Sequence, residues 1–148
     1  MEKDPLFTVL KLACDAEEKA ALQLKSIQSD KQKYQGQLEV LNNYRLDYMK
    51  QMGQQQGKTL SANHYSQFHQ FIKQVDNAIS QQVNVLKDAE TQVIYRQNNW
   101  QEKQQKRKAV EMLLDQKAQK RVHAENLREQ KMSDEFAMQQ FIRKKPRQ

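Results

Sequence analysis

The 148-residue sequence predicts an all-α protein: a long antiparallel two-helix coiled coil, or helical hairpin, whose second helix is longer and protrudes at the C-terminal end. Three observations carry this expectation. Strong helix formers (Gln, Lys, Glu, Ala, Leu, Met, Arg) dominate, and three Gly with two Pro are too few for the turns of a β-rich fold. Two stretches repeat apolar residues at alternating four- and three-residue steps, the spacing of a coiled-coil seam. A short segment holding two of the three glycines separates those stretches. A compact globule is disfavoured, because 37% hydrophobic residues and a mean hydropathy of −1.05 supply too little core. Residues 1–148 are therefore expected to form one elongated coiled-coil domain.

The first helix is expected over about 5–52. Asp4-Pro5 makes a good start, with Asp as N-cap and Pro at the first helical position. The seam then runs Leu6, Leu10, Ala13, Glu17, Ala20, Leu24, Ile27, Lys31, Tyr34, Leu38, Leu41, Arg45, Tyr48, Met52. Its polar members, Glu17, Lys31 and Arg45, recur two heptads apart.

Next comes the tip, residues 53–60. Gly53-Gln54-Gln55-Gln56-Gly57-Lys58-Thr59 has a phosphate-loop look, but three residues rather than four separate the glycines, and a helix rather than a strand leads in. A chain reversal is the reading that fits.

The second helix is expected over about 61–143, with Ser61 or Asn63 as its cap. Its seam runs Tyr65, Phe68, Ile72, Val75, Ile79, Gln82, Leu86, Ala89, Val93, Arg96, Trp100, Lys103, Arg107. A fold-back with paired residue numbers adding to 113 sets Tyr48 against Tyr65, Leu41 against Ile72, Leu38 against Val75 and Ile27 against Leu86. It also sets small residues against large ones (Ala20 with Val93, Ala13 with Trp100) and polar against polar (Glu17 with Arg96, Lys31 with Gln82). Arg45 against Phe68 is its weakest layer, relieved if the stem lies along the ring. Phe71 falls off the seam with no evident partner. In this register residue 5 lies opposite residue 108, and roughly 35 residues project as a helix about 50 Å long at 1.5 Å per residue. Leu113, Leu127, Met132, Phe136, Phe141 and Ile142 then await a partner from outside the chain.

Charge is uneven. Residues 1–95 carry 11 Lys/Arg and 11 Asp/Glu, whereas residues 96–148 carry 14 and 7, the whole of the +7 excess. This is either a well-solvated helix face or a basic end that meets an acidic partner. Acids interleave the runs Lys106-Arg107-Lys108 and Arg143-Lys144-Lys145, unlike a basic region that enters a DNA groove; nucleic acid is not an expected partner. His64, His69 and His123 lack metal-ligand spacing with one another or with Cys14. Glu17-Glu18 and Asp134-Glu135 point to different helix faces, and a two-helix hairpin excludes no water. No enzymatic activity, cofactor or small-molecule substrate is expected. One cysteine, no apolar run of about 20 residues and no signal-peptide core point to the cytosol.

Three stretches, "QLEVLNNYRLDY" (37–48), "ANHYSQFHQFIKQVDNAI" (62–79) and "AENLREQKMSDEFAMQQFIRKKP" (124–146), together with their order around one glycine-bearing tip, resemble the FliJ family. The likeness covers nearly the whole chain. It implies a stalk-like coiled coil of the bacterial flagellar type III export apparatus, cytoplasmic and peripherally associated with the inner membrane at the flagellar base. The resemblance also implies partners: the export ATPase hexamer, the membrane export-gate protein and export chaperones. Carried over by position, the gate surface is Gln37, Leu41, Tyr44, Tyr48, Phe71, Val75, Ala78 and Gln82, with Gln82 standing where the family pattern has histidine. Candidates for the ATPase ring are Arg107, Lys117, Arg121, Arg128, Phe136 and Phe141. The stalk of a virulence-type secretion system, a generic coiled-coil scaffold and a basic nucleic-acid-binding coiled coil stay as alternatives.

Overall fold

A computed structural model describes residues 4–54 and 62–144. The protein is all-α, a helical hairpin of α1 (Pro5–Gln54) and α2 (Ala62–Lys144) packed antiparallel. Asp4 caps α1: the Leu6 N–H donates to its Oδ1 at 3.0 Å, and the Phe7 N–H to its carbonyl at 3.0 Å. These bonds satisfy two of the donors that a helix start leaves open, and Pro5 loses nothing there because it has no N–H. α1 continues past Met52 through Gly53 to Gln54, and no described glycine has positive φ. Asn63 lies inside α2 rather than capping it, while Ser61 and Gly57 fall outside the described residues.

The chain divides into two compact units, Glu17–Glu102 and Met1–Ala16 with Lys103–Gln148. In the first, the buried residues are Ala20, Ile27, Val75 and Ala89; in the second, Ala13 and Val110. Alanine supplies three of these six, so the helices approach closely and dispersion contacts among small side chains do much of the packing. Every expected seam position of α1 is buried or half-buried, and so is every one of α2 except Tyr65, which is 58% exposed.

The register differs from the expected one. Tyr48 meets Phe68 (ring centroids 5.5 Å apart, stacked) and Phe71 (4.2 Å), one and two turns beyond Tyr65. Gln82 Nε2 donates to the Tyr34 carbonyl (2.9 Å) and Gln37 Oε1 (3.1 Å), three and six residues beyond Lys31. Arg96 Nη1 donates to the Gln23 carbonyl at 3.0 Å, six residues beyond Glu17. Arg45 leaves the Phe68 ring and donates from Nε to Asp76 Oδ1 at 2.7 Å. α1 ends two residues later than expected and α2 starts one later, and these contacts pair residues whose numbers add to between 116 and 121 rather than 113, a slide of about one to two turns. A slide of one turn keeps seam against seam, so apolar content alone does not oppose it.

Candidate interaction sites

The gate-surface candidates all lie in the Glu17–Glu102 unit, where Tyr44, Tyr48 and Phe71 share ring contacts and Gln82 is hydrogen-bonded to Gln37. Tyr44 meets Phe71 edge-on at 5.7 Å, and Phe71 in turn packs on Tyr48. Phe71 therefore has partners within the chain, contrary to the sequence expectation. It flanks the seam, and its half-buried ring packs against the two tyrosines of α1. Such ring pairs contribute about 0.5–1.5 kcal/mol beyond the area they bury. Tyr65 and His69 continue the cluster along α2, with ring centroids 4.4 Å apart.

One turn further along α1, Gln37, Leu41 and Gln82 border a groove of about 650 Å³ that also takes in Lys33, Gly36 and Val40. Gly36 is helical, and a Cβ placed on it would meet nothing within 4 Å, so the missing side chain is part of the open space. Val40 stands 67% exposed beside it. Gly36 and Val40 were absent from the sequence candidates. The signal for them was a glycine in the middle of a strong helix, costly there by about 1 kcal/mol against alanine. Val75 is 7% exposed and Ala78 half-buried, so their side chains serve packing, while Tyr44 (55% exposed) and Gln37 face solvent.

The ATPase-ring candidates all lie in the other unit. Arg107 is half-buried and donates from Nη1 to Glu111 Oε1 at 2.9 Å, an i,i+4 pair of the same helix. Lys117 Nζ donates to Asp4 Oδ2 at 3.0 Å, tying the α1 cap to α2. The expected opposition near residue 108 is thus displaced to Lys117. The Leu6 N–H and then the Lys117 hydrogen bond hold the Asp4 carboxyl below its ordinary value; a smaller opposing push comes from burial, and the charges of Lys117 and Arg121 add to the lowering. From Asp115 to Lys144 every residue is exposed, including Arg121, Arg128, Phe136 (63%) and Phe141 (70%). α1 begins at Pro5, so it has nothing left to lay against this stretch.

Among the described residues no group of His, Cys, Asp or Glu could hold a metal ion, and no helix is long and apolar enough to cross a membrane. The glycine-bearing stretch is helical up to Gln54, and the rest of that motif lies outside the described residues.

Fold and surfaces together define a helical hairpin with a basic, exposed helical extension. The family model for the flagellar FliJ protein matches residues 1–146. The chain is also similar to the flagellar FliJ protein of Escherichia coli (strain K12), at 29% identity over 97% of each chain. To that of Salmonella typhi it is 30% identical over 76% of this chain and 77% of the relative. The chain belongs to the FliJ family. That membership makes it a component of flagellar protein export, in a family not known to be enzymatic.

Proposed function

We propose that the protein is a non-enzymatic stalk of the flagellar type III export apparatus. Its exposed α2 segment binds the hexameric export ATPase and promotes its assembly and activity, and its aromatic and groove surface in the Glu17–Glu102 unit binds the export gate. It also engages export chaperones, and works in the cytoplasm against the inner face of the membrane at the flagellar base. The observation that carries this reading is the run Asp115–Lys144, fully exposed and bearing Arg121, Arg128, Phe136 and Phe141 on a continuous helix. A helix with apolar residues and an excess of cations, fully exposed among the described residues, has the chemistry to dock on an acidic protein surface.

The test is a truncation after Gln119, which keeps Lys117 on Asp4 and hence the hairpin intact. Stimulation of the purified export ATPase should fall to background while helicity per residue stays constant. Full stimulation by the truncated chain would reject the role of α2.

A further inference from the structure

We infer that this chain self-associates through an antiparallel contact of its own α2, seating the Asp134–Met138 turn of one copy in a lysine-rimmed cleft on the other. The cleft, about 150 Å³, has an apolar floor of Val9, Leu12, Ala13 and Ala16 from α1 and a rim of Lys103 and Lys106 from α2. Leu12 is 63% exposed at its mouth. Neither lysine is ion-paired among the described residues. Two ammonium groups beside an apolar hollow ask for an occupant with an apolar side chain and carboxylates one turn away.

The chain carries that occupant. Asp134 and Glu135 lie four and three residues before Met138, which puts all three on neighbouring positions of one helical face. Met138 is 67% exposed, and neither carboxylate is ion-paired among the described residues. Lys106 and Asp134 cannot meet within one molecule, because they sit about 42 Å apart along the same continuous helix at 1.5 Å per residue. Only a second copy can bring them together.

An antiparallel register with residue numbers adding to 240 does so twice, by two-fold symmetry. It sets Lys106 against Asp134 of the second copy and Leu113 (50% exposed) against its Leu127 (53% exposed). Positions 106, 113, 120, 127 and 134 recur at seven-residue steps and so stay within one side of α2, drifting about 20° per heptad; along that side the second α2 runs antiparallel to the first. Lys120 faces its own copy at the axis, a like-charge contact eased by a stem that reaches water, which makes the dimer weak.

Charge exchange on the full-length chain tests this. In sedimentation velocity at about 100 μM, a concentration suited to micromolar association, the wild-type chain is expected to show a concentration-dependent dimer. The variants Lys103→Glu/Lys106→Glu and Asp134→Lys/Glu135→Lys should each run as monomers with unchanged circular dichroism. Mixed in equal amounts they should dimerise again, because the mixed pair has opposite charges at both contacts. A wild-type chain that stays monomeric, reversed variants that dimerise like wild type, or a mixture that stays monomeric would each overturn the inference.

Discussion

One helix, α2, lives in two environments. From Phe68 to Val110 it has α1 alongside, and its seam residues are buried or half-buried; from Asp115 to Lys144 it is exposed all round. Intrinsic propensity does not separate the two stretches, since both are rich in Gln, Lys, Ala, Leu and Glu. What separates them is what stands on the seam. In the paired stretch it is mainly apolar from Ile72 to Val93, with Arg96, Lys103 and Arg107 entering the seam while α1 is still alongside; beyond Leu114 Lys117, Arg121 and Arg128 fall on the same positions. The same backbone thus serves as half of a core in one stretch and as exposed surface in the other, and the boundary falls where α1 starts, with Asp4 bonded to Lys117, rather than at the first basic seam residue, Arg96.

The largest contrast should come from two phenylalanines. Phe71→Ala removes a ring packed on Tyr44 and Tyr48 and is expected to cost about 2 kcal/mol of stability, below the 3–5 typical of full burial because the ring is only half-buried. Phe136→Ala should change stability by less than about 0.5 kcal/mol, as for other exposed sites. Urea melts of both variants decide the matter; equal losses would erase the distinction between the two stretches.

A smaller effect, of opposite sign, is expected at Gly36. Gly36→Ala should stabilise α1 by about 1 kcal/mol, since the new methyl meets nothing. The same methyl occupies groove space beside Gln37 and Val40, so gate binding measured by titration should weaken while the melt improves. Improvement in both would place the gate contact elsewhere.

The smallest effect concerns Asp4. Its folded pKa lies below the ordinary 3.8, so its stabilising contribution is present above that value and is lost as pH falls through the folded one. Thermal melts between about pH 6 and pH 2 should show this loss. Asp4→Asn should flatten that part of the curve, because the amide oxygen still caps α1 but carries no charge for Lys117.

Much of the fold was legible because burial in a two-helix hairpin is periodic. The α1 seam from Leu6 to Met52 and the Asp4-Pro5 start follow from spacing and capping chemistry alone. The register was not legible, since the four-three repeat reads the same after a slide of one turn. Only particular bonds break that degeneracy, such as Arg45 to Asp76. Phe71 escaped for a related reason: the seam pattern assigns positions to facing residues and says nothing of rings that flank them. Gly36 and the Lys103–Lys106 cleft are defined by space between side chains, which a pattern of residue types does not record.

The bonds from Gln82 and Arg96 end on backbone carbonyls of α1, at Tyr34 and Gln23. A backbone acceptor is present whatever side chain its residue carries. The two helices therefore differ in how freely they can drift in sequence. Position 23 can change without disturbing the bond it receives, whereas positions 82 and 96 on α2 must keep a long donor. Along these layers the second helix holds most of the information that aligns the pair, and the first supplies chiefly a regular scaffold to be gripped, with the Gln37 side chain as a second acceptor for Gln82.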